Sequence, residues 1–202
     1  MAQHLYFITH PDVVIDPAVP VPEWPLSERG RARMRAVLDR PWVPRLHSVF
    51  CSTERKARDG AAILAEALRL PVTELEELGE NDRSSTGYLP KFEFEAMADA
   101  FFARPQESVR GWERAADAQR RIVAAVDEVL RRAPADGDVG IVSHGGVGAL
   151  LLCHLQGRPI SREADQPAGQ GGHYFAFAAI GRRLLHGWRS IDAVAPDTSP
   201  VR

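Results

Sequence analysis

Short apolar runs alternate along this chain with amphipathic helical stripes, and that alternation constrains the fold more than any other feature. The strand-like runs are "LYFIT" from Leu5 to Thr9, "LHSVFCS" ending at Ser52, "PVTELEEL" ending at Leu78 and "DVGIVSH" ending at His144. Two more, "HYFAFAAI" and "RRLLHGWRSI", are joined by a turn around Gly181 and Arg182. Between them, apolar residues recur at helical spacing: Gly30, Met34, Val37 and Leu38; Ala57, Ala61, Leu64, Ala65 and Leu68; Ile122, Val126, Val129 and Leu130; Val147, Leu151 and Leu155. Strands that alternate with helices predict a three-layer α/β/α sandwich whose mostly parallel sheet is covered by helices on both faces, with the last hairpin extending it. Residues 1–190 read as one domain. A polar segment at about 81–112, with Phe94, Met97 and Phe101 on one short helix, reads as a lid insert, and 191–202 as a loose tail.

Totals exclude several function classes. With 202 residues, 45% of them hydrophobic, the chain can bury a sizeable core. Its 25 Lys and Arg against 27 Asp and Glu give a net charge of -2, so no global basic field invites nucleic acid, and any anion site must be local. The first residues lack a basic n-region, His10 and Asp12 interrupt what would be an apolar signal core, and no segment approaches a membrane span. A cytoplasmic protein without a membrane partner is expected. Cys51 and Cys153 lack CxxC spacing and sit in apolar sequence, which favours buried, reduced thiols.

In open α/β sheets, ligands bind beyond the carboxyl ends of the strands, where this chain places its unusual residues. His10, Ser52 and His144 each end an apolar run. Pro11 bars a helical conformation at His10 and holds that histidine extended at a strand tip. After His144, Gly145 and Gly146 allow a sharp strand-to-helix turn with free amide N–H groups. In "CSTERKARDGAAILAEAL", Ser52 or Thr53 is a candidate helix cap, and Arg55, Lys56 and Arg58 crowd the first turns, where the helix dipole disfavours cations. That arrangement expects either a bound anion or a solvated basic turn balanced by Glu54 and Asp59.

These segments resemble the histidine phosphatase superfamily, with its phosphoglycerate-mutase-like fold. "FITHP" stands for the first Arg-His-Gly signature, "PLSERGRARM" for the Leu-Thr-x-x-Gly helix start, "CSTERKARDGAAILA" for the Ser-x-x-x-Arg-Ala-x-x-Thr-Ala helix and "IVSHGGV" for the second histidine. The resemblance implies that His10 is the nucleophile that becomes phosphorylated and that His144 is the second phosphate-binding histidine. Glu80, with Asp82 as the alternative, would protonate the leaving group; Thr9, Ser52 and either Arg55 or Lys56 would hold phosphate. It further implies a metal-independent phosphomonoesterase without a cofactor, acting on a small phosphorylated substrate. Neutral imidazole is a good nucleophile near pH 7 when its other nitrogen donates to an acceptor that fixes the tautomer.

The first signature departs from the family. Thr9 replaces an arginine and Pro11 a glycine; Lys56 keeps a charge at the second arginine position without the bidentate fork. Arg83 and His173 are candidates to restore the missing positive charge. Two alternatives stay open, a catalytically degraded phospholigand-binding protein and a phosphomutase. A metal site built on His10, His144 and a carboxylate lacks any compact zinc spacing.

Overall fold

In the computed structural model, which describes residues 2–192, the first apolar run forms β1 (His4–Thr9) inside a six-stranded sheet. Its side chains divide between two cores: Leu5 and Phe7 enter one, Tyr6 and Ile8 the other. Both faces of the strand are therefore covered, which is why its sequence is continuously apolar instead of alternating with polar residues. The remaining strands are β2 (Leu46–Cys51), β3 (Val72–Glu74), β4 (Asp138–Ser143), β5 (His173–Ala178) and β6 (Leu184–Ser190). They lie in the order β3-β2-β4-β1-β5-β6. The first four are parallel to one another; β5 runs antiparallel to β1 and β6.

Helices α1 (Glu28–Ala36) and α2 (Arg55–Leu68) cover one face through Met34, Ala57, Ala61 and Leu64. On the other face lie α3 (Lys91–Ala103), α4 (Ala115–Arg132) and α5 (Gly145–Leu155). The expected stripes point inward: Ile122, Val126, Val129, Val147 and Leu151 are all buried beneath the sheet face that carries Phe7 and Phe175. Full burial of each such side chain contributes about 1.5–3 kcal/mol.

The 81–112 insert, read from the sequence as a lid, contributes Arg83, Phe94 and Trp112 to the wall of a cleft and also packs into the core. Met97, Phe101, Phe102 and Trp112 are buried and belong to the same core as α4 and α5, because aromatic surface of this size gains more from burial than from solvent. Cys51 and Cys153 are free and buried, and burial pushes the Cys51 thiol up to about 12. At the chain end, Ile191 is fully buried and Asp192 is held by Arg33 at 2.8 Å. Of the tail expected at 191–202, residues 193–202 lie outside the described part. No helix among the described residues is long and apolar enough to cross a membrane.

Candidate active site

The parallel ladder runs one residue beyond the strands and fixes the strand tips relative to one another. His10 N–H donates to the Ser143 carbonyl at 3.1 Å, and Ser52 N–H to that of Val142 at 3.2 Å. His10 and His144 are thereby brought together, ring centroids 5.2 Å apart and planes at 67°. The His10 carbonyl accepts from Gly172 N–H at 3.2 Å. Gly171, at φ +70°, passes so close to this carbonyl that a Cβ would stand 2.1 Å from its oxygen, so only glycine fits there. The orientation of the His10 side chain is fixed by its own neighbour. Nδ1 lies 3.0 Å from the Pro11 carbonyl oxygen, which can only accept, so Nδ1 carries the hydrogen and Nε2 the lone pair. Burial, reinforced by the Lys56 cation, lowers its pKa to about 4.

His144 is wholly buried. Its Nε2 is 2.6 Å from Ser52 Oγ and 3.3 Å from Glu54 Oε1, and burial lowers its pKa to about 4 as well. The helix that follows needs no unusual turn, since neither Gly145 nor Gly146 has a positive φ. Glycine at 146 answers a different demand: the Glu80 carboxylate lies 2.7 Å from where its Cβ would stand. Glu80 accepts from Gly146 N–H and Val147 N–H, each at 3.0 Å, and so takes the amide donors at the start of α5.

At α2 the expected cap is absent. Neither Ser52 nor Thr53 caps the helix; Glu54 occupies the cap position. Its carboxylate pairs with the buried Lys56, lies beside His144 and accepts from Glu80 N–H at 2.9 Å. His144, Lys56 and these hydrogen bonds hold the Glu54 carboxyl far below the usual carboxylate range despite its burial. The anion that the basic helix start called for is the chain's own. Asp59 is turned away, to Arg31 and the Leu26 N–H.

His10 opens into a cleft of about 250 Å³ whose walls include Glu80, Asn81, Arg83, Trp112, Asp165 and Gln166. Arg83 lies over the rings of Phe94 and Trp112, 5.1 and 5.7 Å from their centroids. Burial raises the Asp165 carboxyl above the ordinary aspartate range. Asp82 faces an adjoining groove of about 850 Å³ that shares Glu80, Asn81 and Arg83 with the cleft. Hydrogen bonds from Ser84 hold the Asp82 carboxyl below the ordinary aspartate value.

Three of the expected phosphate ligands are placed elsewhere. Thr9 is fully buried, its hydroxyl donating to Gln166 Oε1 at 2.7 Å and accepting from His173 N–H at 3.0 Å. His173 is buried on the far side of that contact, and burial, reinforced by the Arg33 cation, lowers its pKa. Arg55 is exposed and lines neither cavity. Ser52, Lys56 and His144 are buried behind the cleft wall and act on one another through Glu54. Glu54, Asn81, Asp165 and Gln166 were not singled out as site residues by sequence reasoning. Only Glu54 carried a signal, as the acid inside a basic helix start. No group of three or more His, Cys, Asp or Glu residues among the described residues could hold a metal ion.

This strand-tip arrangement on a mostly parallel sheet defines a phosphoglycerate-mutase-like fold. The model of the histidine phosphatase superfamily (branch 1) matches residues 19–171, and the chain belongs to that family. The match begins after His10, beyond the segment where Thr9 and Pro11 depart from the signature. No curated protein matches the sequence. Among solved structures, YhfR of Bacillus stearothermophilus superposes with a TM-score of 0.77 at 23% identity over 96% of this chain and 98% of that one. A mycobacterial glucosyl-3-phosphoglycerate phosphatase bound to inorganic phosphate gives 0.72 at 22% over 95% and 100%. The alpha-ribazole phosphatase of Shigella flexneri gives 0.63 at 19% over 95% and 96%.

Proposed function

We propose that the chain is a phosphomonoesterase that works through a phosphohistidine at His10 on a small phosphorylated substrate. The observation that carries this reading is the tautomer of His10, whose hydrogen is fixed on Nδ1 by the Pro11 carbonyl while Nε2 is left bare beside a cleft. The Nε2 lone pair attacks phosphorus, the ester P–O bond breaks and its electron pair leaves with the substrate oxygen, which takes a proton from a cleft carboxyl group. Water then attacks phosphorus, the P–N bond breaks, and the same carboxylate takes the proton from water. The family resemblance gives this acid–base role to Glu80. A second reading gives it to Asp165, because both Glu80 oxygens are occupied by the N–H groups of Gly146 and Val147, whereas burial raises the Asp165 carboxyl. Folds similar to phosphatases and a cleft of substrate size support the overall reading.

The test is a panel of phosphate monoesters combined with rapid acid quench and peptide mapping. Phosphate on His10 during turnover is the expected result. Tight phosphate binding with no turnover and no labelled histidine would instead assign the chain to the phospholigand-binding class, and transfer of phosphate to a second substrate oxygen would assign it to the mutases.

A further inference from the structure

We propose that Glu54 determines the charge specificity of this site: by filling its cationic seat from within, it restricts binding to phosphoryl groups with a single negative charge, as in a protonated monoester or a diester. The inference deepens the phosphatase reading and rests on it for the location of the phosphoryl group beside His10.

Charge is the first reason. Lys56 is 2% exposed, and its Nζ donates to the Glu54 carboxylate and to the Val21 carbonyl at 2.9 Å, so this buried cation is already matched. The other Glu54 oxygen lies 3.3 Å from His144 Nε2 and accepts from Glu80 N–H at 2.9 Å. The amides at the start of α5, a second natural anion seat, are taken by Glu80. Both seats hold carboxylates before any ligand arrives.

What remains to meet a ligand is mostly neutral. Asn81 is 6% exposed, lines the cleft, and has an amide Nδ2 that finds no partner among the described residues. A buried donor left open in a cleft points to an acceptor that completes it. Gln166, held by Thr9 through Oε1, is a second neutral amide on the same wall. Arg83 adds one cation and makes no ion pair among the described residues. A monoanion balances Arg83, whereas a dianion adds a further negative charge facing Glu54, Glu80 and Asp165.

The experiment measures dissociation constants by calorimetry on the full chain carrying His10→Ala, so that ligand is not consumed. Phenyl phosphate changes from monoanion to dianion around pH 6, as phosphate monoesters do at about that value; dimethyl phosphate is a monoanion throughout. Between pH 5.5 and 8, His144 stays neutral and Glu54 ionised; Lys56, Arg83 and Arg121 supply the facing cations, and Glu80 and Asp165 the other carboxyl groups. Phenyl phosphate should bind about tenfold tighter at pH 5.5 than at pH 8, while dimethyl phosphate stays within about twofold. Glu54→Gln should bind phenyl phosphate at pH 8 about tenfold tighter than the Glu54 chain does, and Glu54→Asp should retain the original preference. A flat or reversed pH dependence for phenyl phosphate overturns the proposal, as does a parallel rise for dimethyl phosphate, which would mean that the protein titrates instead. A folded Glu54→Gln chain without gain at pH 8 also overturns it, and if that variant does not fold, the pH comparison decides alone. Absence of binding by both ligands overturns it too. Phosphate release during the titration would show the nucleophile assignment to be wrong independently of the charge preference.

Discussion

The tips of β1 and β4 are neighbours in the same parallel ladder, and each ends in a histidine, yet the two histidines live in opposite surroundings. His144 is sealed, its Nε2 engaged by Ser52 and Glu54. The His10 ring is held through Nδ1, by the carbonyl of the next residue, and opens on the cleft. Position at a strand end makes a residue available to a site; the partners that arrive from other loops decide whether it reacts or anchors. Pro11 keeps the chain extended after His10, whereas α5 begins immediately after His144 and carries it inward.

The strongest way to break this contrast is to truncate each histidine. His10→Ala should lower kcat by about a thousandfold or more, as removal of a nucleophile does, with a melting temperature within about 3 °C of the parent. His144→Ala should lose about 2–4 kcal/mol of stability, from the cavity and from a buried Glu54 and Ser52 left with fewer partners, and chemical denaturation checks it. If both variants lose activity at unchanged stability, the division into a reactive and an anchored histidine is wrong.

The next test separates the two cleft carboxyls. Whichever group supplies the proton should cost about a hundredfold in kcat when neutralised, within the usual range for general acid catalysis, and the loss should shrink for substrates with acidic leaving groups. Burial raises the Asp165 carboxyl and both Glu80 oxygens are occupied by amides of α5, so Asp165→Asn is expected to show that leaving-group dependence and Glu80→Gln to act mainly through the start of α5. The reverse pattern would return the acid role to Glu80.

Much of this architecture was legible because burial on both faces leaves unbroken apolar runs, and helices leave stripes, so the order of elements and the two histidines could be read directly. Partnerships between distant residues could not. Thr9 reads as a lost phosphate ligand, but its hydroxyl bridges Gln166 and His173, 157 and 164 positions away. His173, beside glycines near a strand start, reads as a pocket residue; strand pairing turns it toward Arg33. Local spacing likewise cannot choose between Arg55 and Lys56, because one faces solvent and one the core only after α2 is docked. The core packing of the aromatic insert is not legible locally, since a polar loop precedes its buried helix.

A smaller effect follows from pH. His10 and His144 have folded pKa values of about 4, below the ordinary value of 6.5. The unfolded chain therefore binds more protons between those values, and stability falls as pH drops from about 6.5 toward 4. Glu54, held low in the fold, adds to the loss as pH falls below the ordinary carboxylate value. Unfolding free energy measured from pH 7 to 4 should decline, and His10→Ala should flatten the curve in that window. An unchanged slope would mean that His10 titrates normally.

The smallest effect expected is at Arg83, and it sharpens the contrast between anchored and available groups. Arg83 is held by ring faces and by no ion pair among the described residues, so its charge is not cancelled as that of Lys56 is. A cation on aromatic faces gains about 0.5–2 kcal/mol from them, which is small enough for a phosphoryl oxygen to draw the guanidinium away. Arg83→Ala should therefore raise KM by about tenfold with kcat changed less, since the group meets bound substrate in the ground state and the transition state alike. Arg83→Lys, which keeps the charge and loses the planar fork, should recover part of the affinity. If kcat falls instead and KM is unchanged, Arg83 acts on the transition state and moves into the place that the missing arginine at position 9 leaves open. If neither parameter moves, Arg83 belongs to the aromatic wall alone, and the cleft binds its ligand through neutral amides.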